Sequence, residues 1–210
     1  MTRVSAFNKL REEEREVRRE LIIEATLSLL EKKTFDQLGM RDIAAEAGIS
    51  PASLYRYFPG QTELLTESFI YDLQNHAHKF NEKLSTNQID SVEKFAIEFV
   101  DTLIKNEASF QMMSYMMIKA EISPELLDKF NMIMRNFLSN IEEVFKKSGI
   151  EVVSRNLIHG FYASLSGIVM AFRNFPGKDK KTIEIHMKKL ARITAFAFIQ
   201  NEVTKFDEKT

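Results

Sequence analysis

The chain has 210 residues, with 29 Lys and Arg against 30 Asp and Glu, and it contains no cysteine. The lack of cysteine excludes disulfides and thiolate metal sites, while the formal net charge of −1 gives no overall basic excess of the kind that usually marks nucleic-acid binding. Only 7 Gly and 4 Pro occur and helix-favouring residues are plentiful, so the composition predicts an all-helical protein with a core of ordinary size.

The first predicted element is a helix over residues 15–31, whose apolar side chains recur at helical spacing. Three basic residues precede or open it: Arg3, Lys9 and Arg11. They form either a flexible arm that reaches a DNA backbone or minor groove, or a solvated tail. Up to residue 62 the basic and acidic side chains balance, so only their distribution can favour nucleic-acid binding.

Two short helices hinged at Gly48 follow within residues 40–57. Small apolar residues line the first of them, Gly48 can adopt the left-handed conformation that ends a helix, and Ser50 with Pro51 is a helix start signal. This pattern predicts a helix-turn-helix, which places the start of its second helix at the base edges of the DNA major groove. The alternative is a purely structural helical hairpin.

The residues after the hinge carry a family resemblance. Residues 44–65 contain the Ala-Gly-Ile-Ser turn, the run Leu54, Tyr55, Arg56, Tyr57, Phe58 and a Glu-Leu-Leu opening the next helix. They resemble the DNA-binding domain of TetR-family transcriptional repressors. The resemblance implies an all-α fold in which a three-helix helix-turn-helix domain, residues 1–60, precedes a six-helix effector-binding and dimerisation domain, residues 61–210. It also implies which residues face DNA: Arg41, Pro51, Ala52, Ser53, Tyr55, Arg56 and Tyr57.

Leu54 should point to the core, and Arg41 is the best candidate for a bidentate contact to guanine, unless it only pairs with Asp42 or Glu46 on a solvated face. Two positions depart from the family pattern, because Gly39 replaces the usual capping Thr or Ser and Gln61 replaces the usual Lys. Both departures imply fewer phosphate contacts. They are also similar to the fatty-acid-biosynthesis repressor branch of the family.

Beyond residue 60, a long fourth helix is predicted from Gln61 into the eighties. It would link the two domains and offers an allosteric route from effector to DNA. The remaining breaks predict helices at about 89–105, 107–120, 124–148, 151–174 and 178–206.

This second domain is rich in Phe and Met, which is either plain core or the lining of a cavity for a flexible apolar guest, such as a fatty acid or acyl thioester. The candidate effector-binding residues are Phe95, Phe99, Phe110, Met113, Met117, Phe137, His159 and Arg173.

Small residues recur on one face of the eighth helix, which predicts either a two-fold dimer interface with the last helix or close internal packing. The candidate dimer-interface residues are Gly160, Ser164, Gly167, Ala171, Ile193 and Ala197.

The functional prediction is a homodimeric, ligand-responsive repressor that binds palindromic operator DNA. No catalytic, metal-binding or cofactor motif is present, so an enzyme is not expected. No signal peptide or membrane-spanning run is seen, which predicts a soluble cytoplasmic protein with no membrane partner. The alternative function is a helical carrier of lipids or small molecules with a vestigial helix-turn-helix.

Overall fold

The computed structural model describes the backbone of residues 3–119, 123–150 and 152–203, and this part of the chain forms helices and contains no β-strand. The helices are α1 Arg3–Leu30, α2 Met40–Glu46, α3 Pro51–Tyr57, α4 Gln61–Ser85, α5 Val92–Lys105, α6 Glu107–Lys119, α7 Pro124–Lys147, α8 Arg155–Phe172 and α9 Lys180–Val203. The predicted all-α fold is therefore confirmed. In the described segments, no helix combines the length and apolarity needed to cross a membrane.

The chain divides into two compact units. The first comprises Met1–Asp72 and Glu107–Leu127, and the second comprises Leu73–Asn106 and Asp128–Thr210. This division differs from the predicted boundary after residue 60, because α6 groups with α1–α3 and α4 belongs to both units. Sequence spacing could not reveal that a helix so far along the chain packs against α1.

The turn between α2 and α3 has the predicted backbone conformation and helix cap. Gly48 has a φ of 67°, and the Ile49 N–H donates to the Ala44 carbonyl oxygen at 2.9 Å, which closes the end of α2. Ser50 then caps α3, because its Oγ accepts a hydrogen bond from the Ser53 N–H at 3.1 Å. Leu54 is fully buried, which confirms that it points to the core.

Three predicted helix starts are corrected. α1 begins at Arg3, so the basic residues predicted as a flexible arm lie within a helix. α5 begins at Val92, since Asn87 adopts a φ of 56° and Ser91 supplies the N-cap. α8 begins at Arg155, after the N-cap residue Ser154. The Ser154 hydroxyl accepts a hydrogen bond from the Leu157 N–H and so fixes the first turn of the helix.

In the second unit, α5 packs against both α8 and α9. Asp101 of α5 pairs with Lys105 on its own helix at 2.6 Å and with Lys188 of α9 at 2.5 Å. Burial alone would raise the pKa of Asp101, but the hydrogen bonds from these two ammonium groups lower it overall. The carboxylate therefore remains ionised and joins α5 to α9.

Candidate nucleic-acid interface and effector region

The helix α3 presents one buried and one exposed face. Pro51, Ala52, Tyr55 and Arg56 are exposed, with 52% of Tyr55 accessible to solvent, while Leu54 between them is completely buried. Such an arrangement leaves the N-terminal residues and two long polar side chains of the helix available to a partner. All of the predicted DNA-facing residues on α3 thus retain at least partial access to solvent, since Ser53 and Tyr57 are half-buried.

Polar contacts within α3 hold its side chains in place. The Ser50 and Ser53 hydroxyl oxygens lie 3.0 Å apart, and the Arg56 guanidinium donates to Ser53 Oγ at 3.1 Å. The Tyr57 hydroxyl accepts from Arg18 of α1 at 3.4 Å. These contacts order the polar side of the helix before any partner arrives, which lowers the entropic cost of binding.

Arg41 is exposed on α2, which packs against α3. Its possible ion-pair partners are engaged elsewhere: Asp42 accepts from the Gly39 N–H at 3.1 Å and from Lys33 at 3.2 Å. Both hydrogen bonds lower the pKa of Asp42, and the one from the Gly39 N–H has the larger effect. Glu46 accepts from Ser28 at 3.1 Å. Among the described residues, Arg41 makes no ion pair, so its guanidinium is available to DNA.

Arg19 of α1 fixes the C-terminal end of α3. Its guanidinium donates to the Tyr57 carbonyl oxygen and to the Glu67 carboxylate of α4, and it lies 4.3 Å from the centroid of the Phe58 ring. Only 14% of the Arg19 side chain and 19% of the Glu67 side chain are exposed. The sequence analysis missed this residue, although an Arg at helical spacing from buried Ile22, Ile23, Thr26 and Leu30 is a detectable signal.

Gln61, the second departure from the family pattern, has a structural contact. Its side-chain amide donates to the Leu38 carbonyl oxygen at 2.5 Å, so the first residue of α4 is tied to the segment before α2. The side chain at the position of the usual Lys therefore binds protein backbone in this structure, and the reduced phosphate contact at this position stays a prediction.

The Met-rich helix α6 is joined to the C-terminal end of α1 by reciprocal caps. Buried Gln111 donates through its amide nitrogen to the carbonyl oxygens of Leu30 at 2.9 Å and Lys33 at 3.0 Å. In return, the Glu31 carboxylate accepts from the Ala108 N–H at 3.1 Å. The contacts at the Leu30 carbonyl oxygen and the Ala108 N–H satisfy backbone groups that a helix end leaves unpaired. None of these contacts was predicted from the sequence.

Three of the predicted effector residues meet in one aromatic cluster of the second unit. The Phe137 ring centroid lies 5.8 Å from the centroids of both Phe95 and Phe99. Tyr162, which the sequence analysis did not select, lies 5.9 Å from both Phe99 and Phe137, and burial raises the pKa of its phenol. The cluster therefore combines apolar rings with one hydroxyl.

The other predicted effector residues lie elsewhere. Phe110 and Met113 are buried in α6, within the first unit, and the Met117 side chain lies outside the described residues. His159 is exposed on α8, and the half-buried Arg173 donates to the Leu103 carbonyl oxygen.

The small-residue face of α8 divides into two parts. At Gly160 a Cβ atom would lie 3.4 Å from the Phe198 ring of α9, so this end packs within the chain, as the alternative predicted. Ser164 donates to the Gly160 carbonyl oxygen at 2.8 Å. Farther along α8, Gly167 and Ala171 are exposed. On α9, Ile193 is 54% exposed, and Ala197 is also exposed. These four residues remain available for a partner subunit.

Within the part of the chain that the structure describes, no group of three or more His, Cys, Asp or Glu side chains could hold a metal ion.

Comparison with known proteins identifies the helix-turn-helix. Residues 22–67 match the model of bacterial regulatory proteins of the tetR family. The transcriptional repressor KstR of Mycolicibacterium smegmatis is 34% identical over 70 residues, which are 32% of this chain and 34% of that protein. The chain thus matches only about a third of the length of this relative, and the match lies within one part of it.

Solved structures extend the likeness over most of the fold. A putative TetR-family regulator from Mesorhizobium loti has a TM-score of 0.66 at 17% identity, covering 89% of this chain and 97% of that one. A putative transcriptional regulator from Saccharomonospora viridis, solved in complex with choline, has a TM-score of 0.61 at 16% identity and covers 81% and 93%. KstR is a transcriptional repressor, and the two solved proteins are putative transcriptional regulators. Residues 22–67 therefore match the model of bacterial regulatory proteins of the tetR family, and the chain has the fold of solved regulators of that type.

Proposed function

We propose that this protein is a ligand-responsive transcriptional repressor that binds palindromic operator DNA as a homodimer. The observation that carries the proposal is α3, which exposes Pro51, Ala52, Tyr55 and Arg56 on a helix anchored by fully buried Leu54. A helix anchored on one face and accessible on the other fits the major groove. A regulator of this kind would act in the cytoplasm, where it meets DNA.

Base readout is assigned to Arg41 together with the exposed residues of α3. A guanidinium without an ion-pair partner among the described residues can present its planar fork to the O6 and N7 atoms of guanine. Ser53 and Tyr57 lie closer to the protein and suit contacts to phosphate or sugar oxygens, which set the register of the protein on the duplex.

The proposed effector is a small hydrophobic molecule. Its support is the cluster of Phe95, Phe99, Phe137 and Tyr162, in which a single hydroxyl accompanies apolar rings. The choline-bound regulator of similar fold agrees with small-molecule binding in general. A fatty acid or acyl thioester is the narrower proposal, and it rests on the similarity of residues 39 and 61 to the fatty-acid-biosynthesis repressor branch.

Homodimerisation is assigned to the exposed small and apolar residues of α8 and α9. Gly167 and Ala171 would let a partner helix approach closely, and Ile193 would contribute apolar area. A two-fold axis at this surface would place two α3 helices on the two half-sites of a palindrome.

Selection of duplexes from a random pool by the purified protein tests the proposal. We expect enrichment of an inverted repeat, and we expect Arg41→Ala to lose discrimination at one position of each half-site by about 10- to 100-fold, equivalent to about 1–3 kcal/mol. Lys129→Ala, an exposed change on α7, is the matched control. Failure to enrich any sequence at low or high salt would instead favour the carrier with an unused helix-turn-helix.

Native mass spectrometry, recorded before and after mild denaturation, tests the dimer and the effector class together. A dimer that releases a fatty acid or acyl thioester would support both assignments. A dimer that releases a polar molecule would contradict the hydrophobic effector, and a monomer at micromolar concentration would contradict the assigned interface.

A further inference from the structure

A basic groove lies between α1 and α3 in the first unit. It has a volume of about 380 Å³ and is lined by Arg11, Arg15, Arg18, Arg56, Tyr57 and Glu14. We call it the arginine groove. Four guanidinium groups face a single carboxylate, although the chain as a whole has a net charge of −1.

The helical start of α1 creates this concentration of charge. Because α1 begins at Arg3, Arg11, Arg15 and Arg18 stand at i, i+4 and i+7 on one face of a continuous helix. Seven residues of α-helix rise about 10 Å, which is about three times the axial spacing of about 3.4 Å between phosphates of one DNA strand.

Contacts within the groove leave most of its positive charge uncompensated. Glu14 is held by Arg18 at 2.5 Å, and the Tyr57 hydroxyl and Glu14 together raise the pKa of Arg18. Arg11 and Arg15 make no ion pair with any residue that the structure describes, while Arg56 donates only to the neutral Ser53 hydroxyl.

Two other acidic side chains of the first unit are engaged with different partners. Glu13 pairs with Lys9 at 3.6 Å, and Glu67 pairs with Arg19. Basic and acidic residues are therefore equal in number in this part of the sequence but unevenly distributed in space. Guanidinium groups without an ion-pair partner in the described part of the chain lie beside α3, the helix proposed to enter the major groove.

We propose that the arginine groove binds the sugar–phosphate backbone of the DNA strand that flanks the major groove entered by α3. Guanidinium forks bind phosphate oxygens through paired, charge-assisted hydrogen bonds, and the groove offers two arginines with no competing carboxylate of their own. The proposal rests on the proposed function, because it assigns a second contact surface to the same complex. It also explains how a chain with a net charge of −1 can hold DNA.

Salt dependence of DNA affinity tests the groove. For the homodimer with Arg11→Gln and Arg15→Gln in both subunits, the slope of log K against log salt concentration should become less steep by about 3.6, which is about 0.9 for each of the lost phosphate contacts, two from each subunit. Affinity should fall to a similar extent for selected and unrelated duplexes, since backbone contacts carry no sequence information. The selected sequence itself should not change, in contrast to Arg41→Ala.

Matched variants make the outcome decisive. Lys9→Gln also removes one positive charge from α1, but Lys9 does not line the groove. The salt-dependence slope of this variant should equal that of the wild type. Arg15→Lys should retain most of the slope that Arg15→Gln loses. Lys9, Arg11 and Arg15 are all exposed, so circular dichroism should show unchanged helicity in each variant.

If the double variant binds its operator specifically and its salt-dependence slope is unchanged, the arginine groove does not bind the DNA backbone. The proposed function would remain intact in that case. If the wild type binds duplexes without sequence preference, the proposed function fails, and the same slope measured on an unrelated duplex still decides the role of the groove. Absence of binding to any duplex would overturn both.

Discussion

Arg19→Met should destabilise the first compact unit more than any other single change of a charged residue in α1. Arg19 is the one α1 side chain among the described contacts that binds both the end of α3 and the start of α4, through the Tyr57 carbonyl oxygen and the Glu67 carboxylate. Methionine keeps much of the apolar stem that packs beside Phe58 but removes every donor.

The expected magnitude follows from three lost contacts. The charge-assisted hydrogen bond to the largely buried Glu67 contributes about 1.5–3 kcal/mol, the hydrogen bond to Tyr57 about 1 kcal/mol, and the guanidinium above the Phe58 ring about 0.5–1 kcal/mol. These terms share one side chain and are not additive, so we expect a loss of about 3 kcal/mol in the free energy of unfolding. For a chain of this size that loss corresponds to a fall of about 6–12 °C in Tm.

Urea unfolding followed by circular dichroism measures the loss, and hydrogen exchange of the α3 amides locates it. Arg15→Met, one turn earlier and exposed, is the control and should change stability by less than about 0.5 kcal/mol. Combining Arg19→Met with Glu67→Gln should cost less than the sum of the two single changes, because the pair is already broken. Wild-type stability together with unchanged α3 protection in Arg19→Met would refute the assigned role.

Three further predictions concern burial, the α1–α6 contact and pH. Leu54→Ala should cost about 2–5 kcal/mol of stability because Leu54 is fully buried, whereas Tyr55→Ala should leave the urea midpoint nearly unchanged and weaken DNA binding in a gel-shift assay. Gln111→Leu should cost about 2 kcal/mol, since it leaves two carbonyl oxygens at the end of α1 unpaired; a neutral effect on urea unfolding would contradict the contact. Lys188→Met should raise the pKa of Asp101 in a carboxyl NMR titration. In the wild type, the stabilisation from that lowered pKa is present above its ordinary value of 3.8 and is lost as the pH falls through the folded value, so pH-dependent unfolding should show this loss in acid.

The helix-turn-helix was predictable because short-range signals encode it. Gly48 permits the left-handed turn, Ser50 caps the next helix, and each signal acts within a few residues of its target. The buried Leu54 follows from the same register. No long-range contact is needed for any of these predictions, and the structure confirms all three.

The extent of α1 was not predictable in the same way. Its first turns bury little apolar surface, since Phe7 and Leu10 are 69% and 59% exposed, so no buried stripe marks them. Ion pairs at i, i+4, such as Lys9 with Glu13, support the helix there instead. Such a pair of opposite charges carries no burial signal, and the sequence therefore predicts either a flexible arm or a solvated tail for this segment.

Contacts between distant residues account for what the sequence analysis missed in the candidate sites. Arg19 meets Glu67, 48 positions later, and Gln111 meets Leu30, 81 positions earlier. Hydrophobic periodicity identifies which side chains are buried but not which element they are buried against. For this reason the methionines of α6 predict either core or the lining of a cavity, while the polar attachment of α6 to α1 cannot be predicted from them.

These contacts give α1 a central position in the first unit. Near its middle, Arg19 holds the end of α3, and at its C-terminal end Leu30 and Glu31 exchange hydrogen bonds with α6. A force that displaces α6 would therefore act first on the end of α1, and a rotation of α1 would move both the Tyr57 carbonyl contact and the arginine groove. Because the same rigid helix carries all three contacts, a change at its C-terminal turn need not pass through any loop to reach the proposed DNA surface.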